Sequence, residues 1–152
     1  MKIAILSCFY PYRGGISQFN ACLYGELSKN HIVKAFNFKR QYPEFLFPGK
    51  TQFVTDDDEA VPVESVSLLD TANPFTYITT YKAIRDWEPD LLIVRYWMSY
   101  FAPSLGWITR KMRKHCRVIS ILDNVVPPEQ RFFDTPMTKY YLTESDAYIT
   151  LS

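Results

Sequence analysis

Short apolar segments alternate with longer amphipathic segments along the whole of this 152-residue chain. The first apolar segment, IAILSCF at residues 3–9, has no polar alternation, which is typical of a strand buried on both faces of a parallel sheet. An amphipathic helix is predicted next, since apolar residues recur at helical spacing: Ile16, Phe19, Leu23 and Leu27. HIVKAFNF at residues 31–38 predicts a second strand, which completes one strand-helix-strand unit.

The same alternation continues to the end of the chain. Four further strands are predicted, in VESVSLL (63–69), EPDLLIVRYW (88–97), RVISILDN (117–124) and AYITLS (147–152). Asn73 and Pro74 predict the N-cap and first turn of a helix whose apolar positions recur every third residue: Phe75, Ile78, Tyr81, Ile84 and Trp87. Two more helices are predicted, one with its apolar face at Phe101, Leu105, Ile108 and Met112 and a shorter one in TPMTKYYLTES (135–145).

This order of elements predicts an α/β fold in a single domain, residues 1–152. Strands that alternate with helices favour a doubly wound, Rossmann-like parallel sheet in three layers, α/β/α. In such sheets ligands bind beyond the carboxyl ends of the strands, near the point where the strand order reverses. The sequence therefore directs attention to the loops at residues 9–18, 95–100 and 123–131.

Composition narrows the class of protein without naming a substrate. With 47% hydrophobic residues, 22% charged residues and a net charge of +1, the chain is typical of a soluble globular domain and does not favour nucleic acid as a partner. Cys8, Cys22 and Cys116 fit neither a metal knuckle nor a disulfide framework, which favours free thiols and a cytoplasmic location. The apolar N-terminal run is too short for a signal peptide, and His31 and His115 are interpreted as structural.

Two charged runs are interpreted as solvated surface. The acidic run at residues 56–59 favours an exposed loop over a metal site. The basic stretch TRKMRKH at residues 109–115 suits the C-terminal end of a helix dipole. A solvated helix end is favoured there over contact with an anionic membrane surface, which stays an alternative.

Gly14 and Gly15 fall between the first strand and its helix. Such a pair allows backbone N–H groups at a helix N-terminus to approach a phosphate, although a simple turn explains it equally well. Neither G-x-G-x-x-G nor G-x-x-x-x-G-K-[ST] is present, so a standard dinucleotide site and a P-loop are disfavoured.

Polar residues follow the two later central strands. The segment DNVVPPEQRFFD carries Asp123, Asn124, Glu129, Arg131 and Asp134, which could bind sugar hydroxyls or transfer protons, or could cap a loop stiffened by two prolines. Arg95, near the end of a buried strand, requires an anionic partner or a route to solvent. The aromatic run RYWMSYF (95–101) forms either an acceptor wall or part of the core.

Four segments together resemble a known family. MKIAILSCFYPYRGGISQFNACLYGELSKNHIV, EPDLLIVRYW, VISILDNVVPPE and ESDAYITLS, in this order, are similar to the N-terminal half of a GT-B glycosyltransferase of family 4. The resemblance implies retaining transfer of a sugar from a UDP- or GDP-sugar, without a metal, to a glycan or glycolipid acceptor in the synthesis of cell-envelope polysaccharide. It also implies that the nucleotide-binding C-terminal domain lies outside this chain, which by itself would be inactive.

The resemblance carries specific roles onto this sequence. Catalytic roles fall on Asp123, Asn124 and Glu129, and contact with the donor diphosphate falls on Gly14, Gly15 and Ile16. Substrate contacts fall on five further residues: Arg13, Ser17, Arg95, Tyr96 and Arg131. Pro128 stands where many relatives carry a histidine. The alternative function is a binding module with the same fold and no catalysis, and in either case a peripheral membrane contact is compatible with the sequence.

Overall fold

The structure is a computed structural model, and it describes residues 1–12, 14–42, 53, 61–123 and 132–151. Within these residues it contains six strands: β1 (Lys2–Leu6), β2 (Ile32–Arg40), β3 (Ser65–Asp70), β4 (Leu91–Tyr96), β5 (Arg117–Leu122) and β6 (Ala147–Thr150). Four α-helices are described between them: α1 (Gly15–Ser28), α2 (Pro74–Trp87), α3 (Ala102–Met112) and α4 (Asp134–Tyr141).

All six strands pair in parallel in one sheet, with the order β3-β2-β1-β4-β5-β6. The order runs outward from β1 in one direction and restarts at β4 in the other, so the reversal lies between these two central strands. Because the strands are parallel, all of their carboxyl ends lie along one edge of the sheet. The predicted doubly wound, three-layer fold is confirmed.

The central strand β1 is buried on both faces, as its continuous apolar sequence predicts. Ile3 and Ile5 contribute to a small apolar cluster with residues of α1, including Leu23 and Leu27. Alternate residues of β1 contribute to a larger cluster that contains residues of α2, α3 and α4. Of the described helices, α1 therefore covers the first face, and α2, α3 and α4 cover the second.

The start of α2 follows its sequence signals. The Asn73 side chain accepts a hydrogen bond from the Phe75 backbone N–H at 3.1 Å, and Pro74 is the first helical residue. The helix ends at Trp87, and its C-cap residue Glu88 has a left-handed φ of 56°. The predicted cap and first-turn proline are confirmed.

The predicted apolar face of α2 is correct at its C-terminal end and wrong at its N-terminal end. Ile84 is fully buried, whereas Phe75 is 79% exposed and Ile78 is 43% exposed. An α-helix advances about 100° per residue, so a repeat of three residues drifts by about 60° per step and rotates away from the core. The first turns of α2 therefore present apolar side chains to solvent.

The described helices include none that is both long and apolar enough to cross a bilayer. The acidic run at residues 56–59 lies outside the described residues.

Candidate functional site

The candidate site lies at the carboxyl edge of the sheet, where β1, β4 and β5 end. β1 and β4 are hydrogen-bonded neighbours, with Leu6 opposite Val94, and β5 lies next to β4. The loop after β1 leads directly into α1, whose N-terminal turn stands over this edge. Strand order reverses at this position, which is the general location of ligand sites in doubly wound sheets.

Different physical reasons explain why a glycine stands at each of these two adjacent positions. Gly14 has φ +115°, a conformation that strains any residue with a Cβ, and it is the N-cap of α1. Gly15 is the first residue of the helix, and a Cβ on either glycine would meet no atom within 4 Å. The N-cap residue has no side chain with which to cap the helix, and free N–H groups of a first helical turn are able to bind an anion.

The predicted contacts next to the glycines are partly buried in the fold. Ile16 packs against the larger apolar cluster, and Ser17 is 8% exposed in the first turn of α1. Their backbone N–H groups lie in the helix N-terminal turn, so contact with a ligand at this position would come from the backbone.

A buried ion pair joins the ends of β4 and β5. The Arg95 Nε and Nη2 atoms donate to the two carboxylate oxygens of Asp123 at 2.6 and 2.9 Å. The Arg95 side chain is 6% exposed and that of Asp123 is 16% exposed. The anionic partner that the buried position of Arg95 requires is therefore Asp123, and the pair fixes the start of the loop after β5.

Two residues of α1 support this pair, and sequence reasoning missed both as site residues. Asn20 accepts a hydrogen bond from Arg95 Nη1 at 3.4 Å, and the Phe19 ring centre lies 4.2 Å from the guanidinium carbon. The Asn20 amide also donates to Ser7 Oγ at 2.8 Å and to the carbonyl of Cys8 at 2.9 Å. An asparagine inside a helix is a weak helix former, and this could have marked Asn20 in the sequence.

This network connects three chain segments that the sequence separates widely. Asn20 contacts the loop after β1, and Arg95 contacts both Asn20 and Asp123. The result is a fixed wall of the site immediately beside the glycine loop. Because both carboxylate oxygens of Asp123 already accept from Arg95, the structure assigns Arg95 a positioning function for that carboxylate.

Cys8 lies beneath this network and is shielded from water. Burial raises the pKa of the Cys8 thiol to about 12, against the opposing effect of the nearby Arg95 charge. The thiol is therefore protonated at neutral pH and is a poor nucleophile.

Tyr96 is a core residue in the structure. Its ring is 1% exposed and stacks on Tyr141 with ring centres 4.2 Å apart, and its hydroxyl forms a 3.0 Å hydrogen bond with Thr138. Tyr96 follows Arg95 in a strand, so its side chain points to the opposite face of the sheet. In the described residues, the contacts of the Tyr96 side chain are with the core.

The aromatic residues after β4, which were predicted to form either an acceptor wall or part of the core, are partly buried in the core and partly exposed at the edge of the sheet. Phe101 is fully buried and packs against Phe38 and Trp97, with ring centres 5.4 and 4.6 Å away. Trp97 and Tyr100 are half-buried and retain some exposed ring surface. Two of these aromatic residues can thus contact a ligand.

Asp134 also belongs to the fold. It is 2% exposed at the first residue of α4, where it accepts a hydrogen bond from the Ser99 hydroxyl. A carboxylate at a helix N-terminus is stabilised by the helix dipole.

Four predicted site residues lie outside the described residues: Arg13, Asn124, Glu129 and Arg131. The prolines of the same loop, at 127 and 128, lie outside as well. Among the residues that the structure does describe, no three His, Cys, Asp or Glu side chains come together as possible metal ligands.

Comparison with known proteins shows which fold the chain has but does not assign the chain to a family. No family model and no curated protein matches the chain. The similar solved structures include an α-glucosyltransferase in complex with UDP and a 13-mer DNA containing a central A:G mismatch. Its identity to this chain is 11% and the TM-score is 0.56. The alignment covers 100% of this chain and 40% of that protein.

The second similar structure is a protein of unknown function from Vibrio parahaemolyticus. It is 13% identical with a TM-score of 0.42, and the alignment covers 99% of this chain and 93% of that protein. Because identity is this low, the likeness to the glucosyltransferase concerns the fold alone. The chain has a glycosyltransferase-like, Rossmann-type fold that spans less than half of the enzyme to which it is similar.

Proposed function

We propose that this chain is the acceptor-side domain of a retaining glycosyltransferase of the GT-B type, family 4, located in the cytoplasm. The reaction transfers a sugar from a UDP- or GDP-sugar to a glycan or lipid-linked acceptor in the synthesis of cell-envelope polysaccharide, without a metal cofactor. A second, nucleotide-binding domain in the same polypeptide completes the donor site in this proposal.

One observation carries the proposal. The glycine loop at the start of α1 lies at the point of strand reversal, with open space where Gly14 and Gly15 would carry a Cβ and with an N-cap residue that provides no side-chain cap. A diphosphate is the ligand that such a helix start favours. Support also comes from the shared fold, since the similar α-glucosyltransferase was solved in complex with UDP.

The residues have distinct roles in this proposal. Backbone N–H groups of Gly15 and Ile16 contact the donor diphosphate, and Asp123, positioned by Arg95, lines the reacting centre. The remaining proposed contacts come from Arg13, Ser17, Asn124, Glu129 and Arg131. A carboxylate at the reacting centre can accept a proton from the acceptor hydroxyl or stabilise positive charge as the glycosidic bond breaks.

The test is a titration of the isotope-labelled chain with UDP, GDP and UDP-glucose, followed through backbone amide signals. We expect the signals of Gly14, Gly15 and Ile16 to move with a common, weak affinity. A Gly15→Ala variant adds a methyl group in the open space at the helix start and should weaken binding at least tenfold. Gly25→Ala is the matched control, since Gly25 lies in the same helix, with open space around its Cβ position.

Two results would overturn the proposal. One is the absence of any movement of these amide signals up to millimolar concentrations of all three ligands. The other is equal binding by the Gly15→Ala and Gly25→Ala variants, which would separate nucleotide binding from the glycine loop. Either result would favour the binding module without catalysis.

A further inference from the structure

A second feature lies on the outer surface of the three-helix layer, away from the glycine loop. A groove of about 490 Å³ runs between the exposed sides of α2, α3 and α4. Its lining is almost entirely apolar and includes Tyr77, Ile78, Pro103, Trp107, Met137 and Tyr140. No step of the proposed sugar transfer uses these residues.

The groove is continuous with apolar side chains that extend into solvent. Phe75 is 79% exposed, Ile78 is 43% exposed and Tyr140 is 39% exposed. Single exposed apolar residues are common on protein surfaces, but a groove with such residues at its rim marks an interaction site. The exposure of Phe75 and Ile78 follows from the rotation of the apolar stripe of α2 away from the core.

Cations surround this apolar surface. The Lys111 Nζ lies 5.5 Å from the centre of the Trp107 ring. Burial and then the charge of Glu144 raise the pKa of the Tyr140 hydroxyl, and the charge of Arg110 opposes this rise, so one carboxylate also lies near the rim of the groove. Lys82 is one helical turn after Ile78, and Lys139 precedes Tyr140. Lys114 is exposed at the end of α3.

These cations have no carboxylate partners within the part of the chain that the structure describes. Ion pairs there involve other residues, and Asp86, the one carboxylate of α2, pairs with Arg85 at 3.1 Å. Residues 91–122 hold six arginines and lysines and no aspartate or glutamate, in a chain whose net charge is only +1. Two of the six are neutralised, Arg95 by Asp123 and Arg113 by Asp146. Three of the others lie at the C-terminal end of α3: Arg110, Lys111 and Lys114.

We propose that the outer face of α2, α3 and α4 binds the surface of a bilayer that contains anionic phospholipids. Phe75, Ile78 and Trp107 enter the headgroup region, where aromatic and aliphatic side chains are stabilised. Arg110 and Lys114 contact lipid phosphates, which supply the negative charge that the protein surface lacks. The occupant is a bilayer because it offers apolar and anionic contacts over the whole width of three helices.

The test is sedimentation of the chain with large vesicles of phosphatidylcholine, with and without an equal part of phosphatidylglycerol. We expect binding to the anionic vesicles alone, and weaker binding as salt is raised. Arg110→Ser/Lys114→Ser should reduce the partition coefficient about 30-fold, since each cation near an anionic surface contributes about 1 kcal/mol and 1.4 kcal/mol is tenfold. Lys29→Ser/Lys39→Ser removes the same charge outside the three-helix layer and should have little effect.

A second pair of variants separates the apolar contact from charge. Phe75→Ser/Ile78→Ser should reduce binding at least tenfold and leave the fold intact, since both side chains are exposed. Ile32→Ser/Val61→Ser is its control, because these side chains are 64% and 59% exposed outside the groove. Circular dichroism verifies that all four variants are folded.

Three outcomes would overturn the proposal. Failure of the folded chain to bind anionic vesicles is the first. The second is equal weakening by Lys29→Ser/Lys39→Ser, which would mean that charge acts without regard to this face. The third is binding to soluble polyglutamate with none to vesicles, which would make the partner an acidic protein. None of these outcomes depends on nucleotide binding, so the proposed function is tested separately.

Discussion

Replacing Asp123 with asparagine is the most direct test of the buried pair at the ends of β4 and β5. The substitution removes the charge that compensates Arg95, whose side chain is 6% exposed. Breaking a buried pair on one side costs about 3–5 kcal/mol, and we expect about 3 kcal/mol because the Asp123 side chain retains 16% exposure. The remaining partners of the guanidinium, Asn20 at 3.4 Å and the Phe19 ring, do not replace the carboxylate.

Urea denaturation followed by circular dichroism measures this loss as a change in the free energy of unfolding. Asp86→Asn is the matched control, since it breaks an exposed pair with Arg85 and should cost less than about 1 kcal/mol. The double variant Arg95→Met/Asp123→Asn removes both charges. Its loss should be smaller than the sum of the two single losses by at least about 1.5 kcal/mol.

Two results would contradict the claim that Asp123 compensates the buried charge of Arg95. One is a loss of stability for Asp123→Asn no larger than that for Asp86→Asn. The other is a loss for the double variant that equals the sum of the Arg95→Met and Asp123→Asn losses. A gain in stability on Asp123→Asn would also refute it. A gain in stability is expected when a carboxylate is required for catalysis and destabilises the folded chain.

Three further predictions follow from local geometry. Gly14→Ala should destabilise the chain by about 1–2 kcal/mol because of its positive φ, whereas Gly15→Ala should be neutral or slightly stabilising; thermal unfolding compares the two. A thiol reagent should modify exposed Cys22 rapidly in the native chain, and Cys22→Ser should abolish this fast phase. Burial raises the pKa of the Cys8 thiol to about 12 and that of Cys116 to about 11. From about pH 9 upward the unfolded chain therefore loses thiol protons that the folded chain keeps, until the folded thiols titrate at about pH 11 and 12. Over this range the free energy of unfolding, measured by urea denaturation, should fall by up to about 1.4 kcal/mol per pH unit per thiol; a flat profile would contradict this.

The sequence was sufficient for the fold because its local signals agree with one another. The continuous apolar run of β1 requires burial on both faces, and Asn73 with Pro74 defines the start of α2. The apolar face of α2 was harder to predict, since a repeat of three residues follows no single face of a helix. Tertiary packing decides which part of such a stripe is buried.

The candidate site could be predicted only in part. Arg95 needs an anionic partner because it lies in a buried strand, and this can be read from the sequence. The identity of the partner depends on the register of β4 and β5, which aligns Tyr96 with Leu122. Asn20 and Phe19 join the site through the packing of α1 over the sheet edge. One sequence holds no signal for that packing beyond an asparagine at an unfavourable helical position.

The strand order has a consequence for how the chain is made. β1 pairs with β2 and β4, and Ile3 lies opposite Leu91, 88 positions later. At 5–20 residues per second a ribosome needs roughly 4–18 s to add those residues, and during this time one edge of β1 has no partner. An unpaired apolar edge is a template for association with other chains. Protection of β1 during synthesis therefore depends on the speed of translation and on chaperones.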